Sequence, residues 1–202
     1  MKQQRIIWLV LLVAAVLAGC GRSAPVRYYT LSPLPEAPQE RAATSGPLQR
    51  IVTVGPVSLP AYVNRPQVVR RLSAHELDLL DFHHWAEPLA DSFERLLVEN
   101  LAILLAGQGV DVVPRQGSAG DAHYRLSLRL VSFDGNMGRG NVVLVGQWRI
   151  ATTSGGKDLV SRRSRIEKKI RGTTVADLVA AQSEALAELS RHMATALQEE
   201  IP

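Results

Sequence analysis

The sequence predicts an α+β domain: a mainly antiparallel sheet with two amphipathic helices packed on one face. Three observations carry this. Tyr124, Leu126, Leu128 and Leu130 alternate strictly with Arg125, Ser127 and Arg129, the period of a half-buried strand. Leu89, Phe93, Leu96, Leu97, Leu101, Leu104 and Leu105 recur at intervals of three and four, the period of a helix. Val175, Leu178, Val179, Leu186, Leu189, Met193, Ala196 and Leu197 draw a second such stripe near the chain end.

The elements follow in chain order. VRYYTL (26–31) is aromatic and β-favouring and predicts a short strand that joins the domain. Residues 32–50 are rich in Pro, Ala, Ser and Gly and read as a loop. A strand begins at Ile51 and ends before Pro60. QVVRRL (67–72) and ELDLLD (76–81) flank Ser73-Ala74 as a hairpin, and the histidine-bearing segment after it reads as a polar loop. Pro88 suits the first turn of the first helix, and Gly107 and Gly109 stop it. The alternating strand at 123–130, a glycine-rich loop at 134–140, the strand 142–152, a Ser154–Lys157 turn and LVSRRSRIEKKI form a three-stranded meander. The second helix runs from about residue 174 to 200, with Thr174 as N-cap and Asp177 in its first turn.

The N-terminus has a separate purpose. Lys2 and Arg5 precede an apolar block of about 14 residues, short of the roughly 20 that a membrane-crossing helix needs. This is the pattern of a secretory signal peptide, residues 1–19. A short transmembrane anchor is the alternative, but no positive stop-transfer cluster follows. Leu17-Ala18-Gly19-Cys20 is similar to a bacterial lipobox, with cleavage between Gly19 and Cys20 and a diacylglycerol thioether plus an N-acyl group on Cys20. Two or three acyl chains at ~0.8 kcal/mol per buried CH₂ hold a protein on a membrane durably. Cys20 is the single cysteine, so no internal disulfide forms. Gly21, where an inner-membrane retention aspartate would stand, makes the outer membrane of a Gram-negative envelope the default destination. Residues 20–25 are then a lipidated N-terminus and short tether, and 26–202 a single periplasmic domain.

The chemistry available is sparse. The formal net charge is +4, two of it from Lys2 and Arg5, which gives no case for nucleic acid as a partner. The chain carries no nucleophile elbow, P-loop, GxGxxG after a strand or HExxH. The expectation is no enzyme, no cofactor beyond the covalent lipid, and no metal. His75, His83 and His84 lie close together near Asp78, Asp81 and Glu87, but adjacent histidines on a strand face opposite ways and do not converge on one ion. Arg162, Arg163, Arg165, Lys168, Lys169 and Arg171 form the densest basic run. With Arg125, Arg129 and Arg149 on neighbouring strands, a basic sheet face is expected. Its plain reading is a solvated outer face; its functional reading is contact with anionic lipid headgroups or an acidic partner. Free sheet edges offer a second place for a partner strand or another copy of the chain.

After the lipobox come YYTLSPLP, VGPVSLPAYVNRPQVV and FHHWAEPLADSFERLLVENL, then GQWRI in the meander and the final helix. In these segments the chain resembles the ABC-type transport auxiliary lipoproteins, across nearly all of 20–202. The most specific pieces are Trp85-Ala86-Glu87-Pro88-Leu89 and Leu59-Pro60-Ala61-Tyr62. The resemblance implies a non-enzymatic outer-membrane lipoprotein that docks a lipid conduit built by MCE-domain proteins. On that reading Trp85, Pro88 and Leu89 determine the fold and are not a binding site. A structural envelope-assembly lipoprotein and a periplasmic lipid-binding carrier are the alternatives. The basic run at 162–171 is not part of the resemblance.

Overall fold

The computed structural model describes residues 3–4, 24–35, 50–115 and 122–201. The apolar block of the signal segment, Gly19, Cys20 and most of the Pro/Ala-rich loop lie outside the described residues.

Among the described residues, eight strands and two long helices follow in the order β1 (Arg27–Tyr29), β2 (Arg50–Ser58), β3 (Gln67–Arg71), β4 (Leu77–Trp85), α1 (Leu89–Leu104), β5 (Val110–Pro114), β6 (Tyr124–Asn136), β7 (Asn141–Thr152), β8 (Asp158–Lys169) and α2 (Val175–Glu200). They form a mixed α+β fold whose long pairings, β6–β7 and β7–β8, are antiparallel. The spine is β6. Along one side it carries β7; along the other, β2 lies beside Tyr124–Arg129 and β3 meets it at Gly135. The β3–β4 hairpin forms as the sequence predicts. The parallel pairings β1–β4, β2–β5, β2–β6 and β3–β6 join segments far apart in the chain.

Both helices cover one face. Val52, Val54, Leu126, Leu128, Leu144 and Ile150 point up from the strands, and Leu89, Phe93, Leu97, Leu178, Leu186 and Met193 point down from the helices, all fully or nearly fully buried. Phe93 and Phe133 meet edge to face at 4.8 Å in the middle of this layer. Burying a side chain of that size contributes about 1.5–3 kcal/mol. At Gly135 the sheet backbone lies close under α2: a Cβ there would stand 1.9 Å from Leu178 Cδ1. The N-terminus of α2 has a full capping box. Thr174 Oγ1 accepts from the Asp177 backbone N–H, and the Asp177 carboxylate accepts from the Thr174 N–H.

Three local expectations change. His83 and His84 belong to β4, which continues to Trp85; they are not in a loop. The reason is β1, whose residues pair with His83–Trp85 and extend the strand. Asp134, Gly135 and Asn136 are still strand, so the β6–β7 turn is confined to 137–140. The start of the 32–50 loop is also packed. Leu31 and Leu34 are buried, the Leu34 N–H donates to Asn100 Oδ1 at 2.7 Å, and the Ser32 N–H donates to Ser183 Oγ at 3.1 Å. Asn100, fully buried, also donates to Ser190 Oγ at 3.1 Å and so ties this strap to both helices.

Candidate functional site

Two surfaces stand out, one on the open face of the sheet and one at its β1–β4 edge. The first is the face turned away from the helices. Because successive strand residues point to opposite faces, the basic run of β8 is divided. Arg162 and Lys168 share the helix side with buried Val160, Ser164 and Ile166, and they meet carboxylates of α2: Glu199 at 3.4 Å and Glu188 at 3.7 Å. Arg171, just beyond the strand, meets Glu184 at 3.5 Å. Glu188 is hydrogen-bonded by Arg191 and flanked by Lys168. Burial pushes its carboxyl up, but these cations outweigh burial and hold it below the ordinary range. Arg163, Arg165 and Lys169 lie on the open face, where Glu167 approaches Arg165 at 4.0 Å. The five residues expected to act together therefore do two things: two lock the edge strand to α2, and three face solvent. As an edge strand, β8 also gains protection against edge-to-edge pairing from its row of charges.

The concave part of the open face lies elsewhere. It is a shallow depression of about 450 Å³ over the first half of β6 and the neighbouring parts of β2 and β7. Arg115, Arg125, Arg129 and Arg149 line it with Ser58, Ser127 and Ser161, and its described lining contains no carboxylate. Arg149 is oriented by Ser127 Oγ at 3.3 Å and by Asp158 at 3.6 Å. Sequence reasoning placed Arg125, Arg129 and Arg149 on this face. It missed Arg115, which joins because β5 pairs with β2 and the backbone N–H of Arg115 donates to the Val54 carbonyl.

The second surface is the β1–β4 edge, six residues beyond Cys20. Tyr28 and His84 are paired neighbours with an edge-to-face contact at 6.1 Å. By alternation Val26 and Phe82 share their face, and Val26, Tyr28 and Phe82 are all exposed. On the opposite face of the same strands, Tyr29 Oη and His83 Nδ1 are 2.7 Å apart. Burial, with the positive charges of Arg27 and Arg70, lowers the pKa of His83.

The Trp85–Leu89 segment is tied to β1 and to the residue that leads into β3. The Trp85 N–H donates to the Pro66 carbonyl at 2.7 Å, and the Ala86 N–H donates to the Tyr29 carbonyl at 2.8 Å. Trp85 and Leu89 are buried, Pro88 is the N-cap of α1, and Glu87 is held below its ordinary pKa first by a hydrogen bond from Arg95. Tyr62 lies under the guanidinium of Arg71, which is also paired with Asp134 at 3.0 Å. Burial and the Asp134 carboxylate push the Tyr62 phenol up to about 12, so it stays neutral. These residues hold the strand–helix junction together, and nothing in their arrangement suits bond-breaking chemistry. Among the described residues, no three His, Cys, Asp or Glu side chains gather as a metal site.

A family model described as the ABC-type transport auxiliary lipoprotein component matches residues 29–194. The chain is 29% identical over 160 residues to the intermembrane transport lipoprotein PqiC of Escherichia coli K12, spanning 79% of this chain and 80% of that protein. The PqiC of Shigella flexneri matches to the same extent. Among solved structures, one crystal structure titled only as an uncharacterized protein superposes with a TM-score of 0.70 at 23% identity, covering 85% of this chain and 98% of that one. Protein XCC0632 from Xanthomonas campestris superposes with a TM-score of 0.65 at 16% identity, covering 86% and 98%. At those identities the two structures establish the shared fold alone.

Proposed function

Because the chain belongs to the ABC-type transport auxiliary lipoprotein family, we propose that it is the outer-membrane docking component of an MCE-type system carrying lipid between the two membranes. Its place is the periplasmic face of the outer membrane, held there by lipid. We assign the anchor to Cys20, with cleavage after Gly19, and take residues 26–202 as one periplasmic domain. The partner is an MCE-domain protein. The chain is an auxiliary component and not an enzyme; it contributes position to the system.

The family match across residues 29–194 carries this reading. Two features agree with it. Only five residues separate Cys20 from Val26, six steps of about 20 Å in all when fully extended, which keeps the domain close to the membrane surface. The layer between sheet and helices is filled by side chains such as Phe93, Phe133 and Leu186, and the two described depressions are open surface features of about 450 and 470 Å³. An acyl-chain carrier needs an enclosed apolar cavity, so docking is favoured over carriage.

The test is recovery of partners from membranes in mild detergent, using the lipidated full chain as bait. An MCE-domain protein is expected among them; recovery of peptidoglycan-associated proteins alone would overturn the docking role. Replacement of Cys20 by Ala is expected to release the protein from the outer-membrane fraction.

A further inference from the structure

We propose that the arginine-lined depression on the open sheet face is a binding site for the phosphate of an anionic phospholipid headgroup. The composition of its described lining is the first ground: four arginines, three serines and Gln147, with no carboxylate. Several cations elsewhere on this molecule meet carboxylates, although among the described residues Arg163 and Lys169 on the same face do not. Arg162, Lys168 and Arg171 meet α2 glutamates, Arg70 meets Asp78, Arg71 meets Asp134, and Arg95 meets Glu87. Arg115, Arg125 and Arg129 make no ion pair among the described residues. Glu94 packs against Gly55 beside Arg115 without pairing to it, and Asp158 engages Arg149 alone.

Geometry is the second ground. Arg125 and Arg129 are on one strand, two positions either side of Ser127, and Arg149 is directly opposite Ser127 on β7. Three guanidinium groups and a hydroxyl thus rise from one small patch of a rigid sheet. Planar guanidinium groups suit phosphate oxygens bidentately, and serine hydroxyls supply further donors. A hollow of about 450 Å³ fits a headgroup with its glycerol, whereas an acidic protein surface would be better served by a flat or protruding basic face.

The site does not rest on the docking reading, since it requires no MCE partner. The lipid source is favoured over free phosphate because a membrane-held domain meets headgroups at high effective concentration. It also relocates the anion-binding role away from the 162–171 run.

The test follows the arginine side-chain Nε–H resonances of the ¹⁵N-labelled full chain in nonionic detergent, titrated with three probes: glycerophosphoglycerol, the zwitterion glycerophosphocholine, and inorganic phosphate. Saturable shifts of Arg125, Arg129 and Arg149 are expected with glycerophosphoglycerol, at roughly tenfold lower concentration than with glycerophosphocholine. The double substitution Arg125→Gln, Arg129→Gln is expected to raise the half-saturating concentration by about tenfold or more. The control Arg165→Gln, Lys169→Gln, which removes the same charge from the same face outside the depression, leaves it within about twofold. Equal loss in both variants would mean a diffuse field and no site. Equal binding of the zwitterion, or saturation by inorganic phosphate at the same or lower concentration, would overturn the headgroup assignment.

Discussion

At the scale of single residues, the unusual groups serve the architecture. His83 shows how. Its ring packs against Tyr29 of β1, with Tyr29 Oη at hydrogen-bond distance. Its pKa is lowered, first by burial and then by Arg27 and Arg70, so the neutral ring fits the fold better than the cation. The linkage has a definite sign. The unfolded chain takes up this proton more readily than the folded one, so stability is fully present above the ordinary histidine pKa of about 6.5 and falls as pH drops through the folded value. A urea midpoint measured at pH 7.5 and again near pH 5 is expected to fall, and to fall less in His83→Gln. An equal fall in both proteins would assign the acid sensitivity to other groups. The carboxylates of Glu87 and Glu188 are also held low by cations and lose their partnerships only as pH falls further through the carboxylate range.

At the scale of elements, the close approach of α2 to β6 gives a sharper test. Gly135 has an ordinary strand backbone, so its importance is spatial. A methyl group there collides with Leu178, which is itself fully buried and has nowhere to move. Gly135→Ala is expected to cost about 1–3 kcal/mol in chemical denaturation, while the same change at exposed Gly138 costs a few tenths. Similar losses at both sites would mean that α2 does not rest on this point. The same elements show what was legible in the sequence. Local periodicity was enough for β6, β7, β8 and both helices, and Thr174 and Asp177 announced their cap. The parallel pairings were not legible, because β1 finds β4 across more than fifty residues and β5 is five residues with no alternation to mark it. That gap explains the misplaced histidines: His83 and His84 look like a polar loop until β1 is laid beside them. It also explains the site. Alternation alone divides the 162–171 run, but only the position of α2 shows which cations are neutralised, and Arg115 enters the depression through a pairing that no local pattern reports.

At the scale of the whole molecule, a packed core, a short lead from the proposed lipid-bearing Cys20 and an exposed apolar edge agree with the proposal that the domain is held in one place. Val26 and Tyr28 stand six and eight positions after Cys20 with exposed Phe82 on the same face, and tyrosine side chains settle at the headgroup level of a membrane. If position is the contribution, the distance from Cys20 to β1 matters more than the residues that span it. Insertion of twenty Gly/Ser residues between Ser23 and Ala24 adds a flexible reach of roughly 25 Å. It leaves the lipobox, the strands and the helices untouched, so outer-membrane fractionation and the thermal midpoint are expected to match the parent. Co-purification of the proposed MCE-domain partner is expected to drop several-fold, because the domain then samples a volume of periplasm and no longer a fixed height above the membrane. A replacement of the same native residues by Gly and Ser at unchanged length is expected to restore it. Full partner recovery with the long lead would show that the domain finds its conduit by surface recognition alone, and the anchor would then be needed only to keep it in the envelope.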